Sequence, residues 1–257
     1  MSQVLYEVRD GIGYITLNRP EKLNTLSQEL IAGFHDALNQ TDSDKRVKAV
    51  VLSGAGKAFS AGGDLAMMQK FEDVNEIYAW MNEVTALTKK IRNSSKHFVA
   101  AVHGHVAGAG FSMALAADYI VADENTKFVL SFSKVGLVAD MGLYQLLLER
   151  VPINIVKEWI SFVPTLNAEK MLASGVINKV VSGSIVEQAT KFIRPLTVAS
   201  PLSLQYSKHI LNQLTNTALD ASISQENAHQ ILLLKSLDHQ EGIKAFYEKR
   251  NPKFQGK

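Results

Sequence analysis

The chain has no cysteine among its 257 residues. Disulfides, thiolate nucleophiles and cysteine-ligated metals are therefore excluded, and a cytoplasmic location is expected. Net charge is small, +2, so nothing drives the chain generally toward nucleic acid or an anionic membrane. A local basic pocket for a phosphorylated ligand stays open. No apolar run is long enough to span a bilayer. The opening residues 1–7 lack the basic stretch and apolar core of a secretory signal. No Pro/Gly/Ser-rich linker divides the chain, and no repeat of solenoid period is present. His103 and His105 flank Gly104, but no carboxylate or third histidine stands nearby at ligand spacing, so no metal site is expected.

What is present is the composition of a soluble globular protein, 46% hydrophobic and 20% charged, enough for one large domain or a domain with a helical appendage. Residues 4–10 and 14–18 are β-rich runs around Gly11-Ile12-Gly13 and read as a hairpin. Ser27 reads as an N-cap for a helix that places Leu30, Ile31, Phe34 and Leu38 on one face. Asp73 reads as the cap of a longer helix carrying Val74, Ile77, Met81, Val84, Thr88 and Ile91. Residues 47–52, 98–102, 119–122, 128–130 and 176–181 read as strands. Residues 141–151, 153–162 and 168–174 read as helices, the last ended by Gly175, and residues 185–250 are mostly helical in pattern. Alternating strands and helices predict an α/β layered core, with a helical C-terminal region packed on it and on a neighbouring subunit.

Two glycine-rich turns carry the first chemical signal. Gly63 precedes Asp64 and a short helical stretch through Met68, and Gly108-Ala109-Gly110 opens a helix through Ala116. Amides at such helix starts lack intrahelical acceptors and carry partial positive charge, so two of them can converge on one oxygen. Such turns also serve tight packing alone, and spacing by itself favours that use. The second turn is neither a dinucleotide fingerprint nor a P-loop: the third glycine and the Lys-Ser/Thr are missing. The other signal is Asp140, set among Val135, Leu137, Val138, Ala139 and Met141. Apolar surroundings would raise its pKa and make it a base near neutrality. An N-cap for the helix beginning at Met141 is the plainer reading, and the two are compatible. Arg19, Lys22 and the Lys249-Arg250 pair could hold phosphates, with solvated surface charge as the default.

Asn18-Arg19-Pro20, Leu23-Asn24, the run from Phe59 to Leu65, Ala100 to Gly104, Gly108-Ala109-Gly110, Ala117-Asp118 and Glu241 to Phe246 resemble, in order, the enoyl-CoA hydratase/isomerase (crotonase) superfamily. The resemblance implies an α/β spiral of ββα units over residues 1–195 and a helical trimerisation region over 196–257 that also covers the coenzyme A site. It implies a homotrimer or dimer of trimers acting on an acyl-CoA thioester, with coenzyme A as part of the substrate and no separate cofactor. The Gly63 and Ala109 amides would form an oxyanion hole. Lys22 and Leu23 would lie against coenzyme A, Ala61, Asp64 and Leu65 on its adenine side, and Phe246 and Lys249 against the coenzyme A of a neighbouring subunit.

The hydratases of this superfamily activate water with two glutamates, whose positions here are Ser112 and Phe132. Asp140 matches a catalytic aspartate of the dienoyl-CoA isomerases, whose partner glutamate is again Phe132 here. Residues 127–129, 132–137 and 249–257 are most similar to the isomerases of ring-epoxidised phenylacetyl-CoA, which rely on the aspartate at Asp140. Aryl-CoA dehalogenation is disfavoured because Thr85 replaces the histidine it needs. The expectation is an acyl-CoA isomerase with Asp140 as its single base. A low-activity hydratase and a non-catalytic acyl-CoA-binding subunit are the alternatives.

Overall fold

A computed structural model describes residues 2–257. In chain order its strands are β1 (Val4–Arg9), β2 (Ile12–Leu17), β3 (Ala49–Gly54), β4 (His97–Val102), β5 (His105–Ala107), β6 (Tyr119–Asp123), β7 (Lys127–Val129), β8 (Leu166–Asn167) and β9 (Lys179–Val181). Its helices are α1 (Gln28–Ser43), α2 (Leu65–Met68), α3 (Val74–Asn93), α4 (Ala109–Ala116), α5 (Leu143–Leu148), α6 (Ile153–Phe162), α7 (Ala168–Ala173), α8 (Ile185–Ile193), α9 (Pro201–Leu233) and α10 (Leu237–Tyr247).

The expected hairpin forms between β1 and β2, turning at Asp10 and Gly11, both at positive φ. From β2 onward every addition to the main sheet is parallel, giving the order β1-β2-β3-β4-β6-β9. A second sheet holds β5, β7 and β8. Each of two successive turns, β4-β5-α4 and β6-β7-α5, places one strand in each sheet and then a helix. Single parallel bridges from Leu26 to Gly63 and from Ser60 to Val106 carry the second layer back to the earlier turns. This is the spiral of ββα units.

The parallel strands are buried on both faces, which is why they read as continuous apolar runs. β4 is buried throughout. One face, with Ile15, Leu17, Val50, Leu52, Phe98 and Ala100, joins the main core formed with α1, α3 and α4. The other, with Ile12, Tyr14, Ala49, Val51, Val99 and Val121, is closed by Ala189 and Ile193 of α8. The expected caps are in place: Ser27 Oγ accepts from the Leu30 N–H at 3.1 Å, and Asp73 Oδ1 accepts from Asn75 and Glu76.

Several expectations shift. β5 was not anticipated, because its residues belong to the glycine-rich run. The strand expected over 176–181 contracts to Lys179–Val181, since Val176 and Ile177 turn into the core and Asn178 bonds both ways with Ile120. The strand expected at 128–130 starts one residue earlier. Val74 is 52% exposed rather than on the buried face of α3.

α9 is fixed to the core by buried ionic contacts. Lys208 Nζ donates to Asp118 Oδ2 at 2.8 Å and to the Lys96 and Ile91 carbonyls. Arg92 bridges Glu149 and Thr215. Farther along α9, Leu219 and Ile223 enter the main core. They press on Gly142, where a Cβ would meet Leu219 Cδ1 at 2.6 Å. Only glycine admits this approach, and Gly142 also lies in the left-handed region at φ 82°.

Candidate active site

The two glycine-rich turns meet. A Cβ on Gly62 would lie 3.2 Å from the Ala109 nitrogen, 3.4 Å from Gly108 Cα and 2.8 Å from the Ala107 carbonyl. Gly62 holds φ 99°, and Gly108, the N-cap of α4, holds φ 51° with ψ −129°. Side chains are excluded from both places, by contact at the first and by conformation at the second. Among the described residues, neither the Gly63 nor the Ala109 N–H donates to an acceptor in the chain. Ala109 is only 3% exposed. A buried amide without an acceptor is rare, and here the unused capacity faces a cavity.

That cavity has a volume of about 350 Å³ and an apolar lining that includes Gly63, Leu65, Met68, Gly108, Ala109, Phe132, Val135 and Leu137. Asp140 completes it from the side of α9. Asp140 is 1% exposed; its Oδ2 accepts from Gln230 Nε2 at 3.2 Å and its Oδ1 has no partner. Burial, then the negative charge of Glu226, push its carboxyl up to about 7, against the opposing Gln230 bond. The expected N-cap role is overturned. Met141 takes φ 59°, the helix starts at Leu143 behind Gly142, and the Asp140 side chain accepts no helical amide. A second cavity of about 550 Å³ lies between α1 and α3, lined by Ile31, Phe71 and Trp80 among others. It holds neither the unpartnered amides nor Asp140.

Lys22, Ala61, Asp64, Leu65 and Phe246 also line this cavity, whereas Leu23 and Lys249 do not. Phe246 was expected against a neighbour's coenzyme A; α10 folds back so that Phe246 and Tyr247 line the chain's own cavity. The Asp64 carboxylate is already engaged. It caps α2 through the Ala66 and Met67 amides and pairs with Arg19 Nη1 at 2.6 Å. Burial raises its pKa, but the Arg19 and cap hydrogen bonds outweigh that and lower it. Arg19 also donates to Thr25. It and Arg250, which pairs with Glu241 and Glu248, serve the framework. Leu23 and Asn24 take consecutive left-handed conformations, and Asn24 Nδ2 ties the loop to the Ala55 and Ala58 carbonyls.

Phe132 lines the cavity and its ring closes on Gly108, where a Cβ would be 3.8 Å from Cζ. Ser112 is fully buried with its hydroxyl unpartnered, and it lies outside the lining. Thr85 is buried and donates to the Met81 carbonyl. His103 bonds the Gly56 carbonyl, His105 is exposed, and no group of three metal-ligating side chains occurs among the described residues.

Sequence reading missed Glu226 and Gln230. They lie one turn apart on one face of α9. Gln230 Oε1 accepts from Val138 N–H at 3.2 Å, which turns its amide NH₂ toward Asp140. Glu226 Oε2 accepts from Gly142 N–H at 2.6 Å and Oε1 from Ser222 Oγ at 2.7 Å. Nothing in the polar stretch Ser224 to Gln230 marks these two as buried; only the docking of α9 does.

Residues 7–257 match the Enoyl-CoA hydratase/isomerase family model. The chain is 32% identical to a 1,2-epoxyphenylacetyl-CoA isomerase of Escherichia coli over the whole of both chains. It is 32% identical to a trans-2-decenoyl-(acyl-carrier-protein) isomerase of Streptococcus mutans, over 99% of this chain and 98% of that one. The fold matches the crystal structure of an enoyl-CoA hydratase from Mycobacterium avium subsp. paratuberculosis at TM-score 0.88 and 33% identity, covering 98% of each chain. Among the described residues, no helix is long and apolar enough to cross a membrane. With its spiral of ββα units, paired amide turns and near end-to-end match, this chain belongs to the enoyl-CoA hydratase/isomerase family and has the crotonase fold.

Proposed function

We propose that the chain is an acyl-CoA isomerase working through a thioester enolate, with Asp140 as its single base. The observation that carries this reading is the lone unsatisfied carboxylate oxygen of Asp140 in a cavity that also presents two unused amides. The thioester oxygen accepts from the Gly63 and Ala109 N–H groups, which form an oxyanion hole; each donor of this kind is worth about 3–4 kcal/mol in the transition state. Ionised Asp140 takes a proton from one carbon, the electron pair moves into the enolate, and the same carboxyl returns a proton to another carbon on that face. Coenzyme A enters as part of the substrate, passing Lys22, Ala61, Asp64 and Leu65. Phe132 supports isomerisation over hydration, because it fills with an aromatic ring a place where a second carboxylate would hold water. Ring-epoxidised phenylacetyl-CoA and 3-enoyl-CoA are the acyl groups we favour, in line with the named activities of the isomerase relatives.

Self-association as a trimer, or a dimer of trimers, belongs to the same proposal. Leu202, Tyr206, Ile210 and Leu214 recur every four residues along α9 and are each more than half exposed, an apolar stripe that calls for a partner.

The test is a panel of acyl-CoAs in heavy water, read by mass spectrometry for deuterium gained and by chromatography for double-bond or ring isomers. Wild type should incorporate deuterium and isomerise, and Asp140→Asn should lose about 100-fold or more of both while still binding coenzyme A. Full activity in Asp140→Asn sinks the base assignment. Efficient hydration of crotonyl-CoA without isomerisation gives the site to a hydratase, and binding without exchange gives it to a non-catalytic subunit.

A further inference from the structure

Burial alone does not decide which of two neighbouring carboxylates keeps its proton. Asp140 and Glu226 are both buried, at 1% and 3% exposure, and the turn Asp140-Met141-Gly142 joins them, since Gly142 donates its N–H to Glu226. Two like charges this close cannot both ionise freely. Their hydrogen bonds differ sharply. Glu226 accepts from Ser222 Oγ and from the Gly142 amide. Asp140 accepts from Gln230 Nε2 alone. Burial raises the pKa of Glu226 as well, but donors aimed at a carboxylate favour its charged form, so the carboxylate with two donors ionises before the one with a single donor.

We propose that Glu226 is a positioning residue that carries a fixed negative charge beside Asp140 and so tunes Asp140 as a proton acceptor. This deepens the isomerase reading and depends on it only for the catalytic consequence. Gln230 completes the device. Its carbonyl is held by the Val138 amide, so its NH₂ must face Asp140, orienting the carboxylate while leaving Oδ1 without a partner among the described residues.

The charged groups of the surrounding elements are committed elsewhere. On α3, Lys89 pairs with Asp220 and Arg92 with Glu149. On α9, Lys208 pairs with Asp118. On α10, burial lowers the pKa of His239, whose Nδ1 donates to the Val135 carbonyl; it is neutral at pH 7. On α5, the Tyr144 hydroxyl accepts from the Ala139 amide, and burial raises its pKa. At the cavity wall Asp64 is paired with Arg19, and Lys22 and Lys134 lie along the lining. Among the described residues, no cation makes an ion pair with Glu226 or Asp140.

The experiment is a carbon-13 NMR titration of the full-length protein labelled at aspartate and glutamate side-chain carboxyls. The two resonances are assigned by their loss in Asp140→Asn and Glu226→Gln. In wild type the Glu226 carboxyl should already be ionised at a pH where Asp140 is still protonated. In Glu226→Gln the Asp140 midpoint should fall by about one pH unit or more, and in Glu226→Asp it should stay near the wild-type value. The acidic limb of the deuterium-exchange pH profile should move down with it in Glu226→Gln. An unmoved Asp140 midpoint in a folded Glu226→Gln variant overturns the proposal. So does the reverse order of ionisation in wild type, which decides the matter even if the variant does not fold. If Asp140→Asn keeps its exchange activity, the base assignment fails while the titration still judges the Glu226 charge. If Asp140→Asn is inactive and the titration is unmoved, only the tuning fails.

Discussion

The two sides of this cavity are assembled over very different stretches of chain. The amide side comes from Gly62-Gly63 and Gly108-Ala109, each joined to a neighbouring rung of the second sheet. The Asp140 side is closed by hydrogen bonds to α9 from 84 and 90 residues away. The first has its conformation dictated by backbone sterics, at positions where only glycine fits. The second has its chemistry dictated by a tertiary contact, and the same aspartate without α9 would be an ordinary turn residue. Binding geometry and proton affinity are thus held by separate parts of the fold, and each can be disturbed with the other left intact.

Gly62→Ala strikes the amide side hardest. A methyl there would overlap the Ala107 carbonyl and press on the Ala109 nitrogen. We expect kcat to fall about 100-fold or more, as when an oxyanion donor is displaced, with stability reduced by about 1–3 kcal/mol. The Asp140 titration should not move. Steady-state kinetics and carboxyl NMR on the same variant check this, and a shifted Asp140 midpoint would mean the two sides are not separable.

Asp140→Asn isolates the other side through stability. Folded Asp140 titrates at about 7 and the free carboxyl at 3.8. Between these values the native state binds the extra proton, so the contribution of Asp140 to stability is fully present below about pH 4 and is lost as pH rises through 7. Asparagine carries no such cost. The variant should melt several degrees above wild type at pH 8, and the gap should close below pH 4. Thermal melts across that range decide it; an equal or lower melting temperature at pH 8 would mean that the Asp140 charge is compensated in the fold.

Arg19→Leu should do least to the chemistry. It leaves the Asp64 carboxylate as a helix cap without its cation, in a pair whose side chains are 16% and 13% exposed. We expect a loss of about 1–2 kcal/mol by chemical denaturation at pH 7, discounted for partial solvent contact, and an isomerisation rate near wild type. Because Asp64 is held below its ordinary pKa, that loss should shrink as pH drops through its folded value. A large fall in kcat would place Asp64 in the reaction rather than in the frame.

Much of this was legible in the sequence. The buried parallel strands wrote themselves as apolar runs such as Phe98 to Val102, and Ser27 and Asp73 announced their helices. The glycine turns and Asp140 stood out for the same reason, since φ above zero and an acid among apolar residues are local facts. β5 was hidden because three residues in a glycine-rich run carry no period. The start of α5 was misplaced because positive φ at Met141 and Gly142 gives no compositional sign at the first of them. Glu226 and Gln230 were invisible because α9 is polar and amphipathic on several faces, and which of its side chains go inside depends on Lys208 finding Asp118 and on Gly142 admitting Leu219.

The order of strands in the main sheet has a consequence for how the site comes into being. Because β1 to β4, then β6 and β9, line up in space as they do in the chain, each strand leaving the ribosome finds its neighbour already in place. α9 arrives last. A nascent chain short of Glu226 can therefore pair its strands and form the amide turns while still lacking the two side chains that hold the Asp140 turn. In biosynthetic time the amide side takes shape before the site acquires its acid–base character, and that character is conferred by the final quarter of translation.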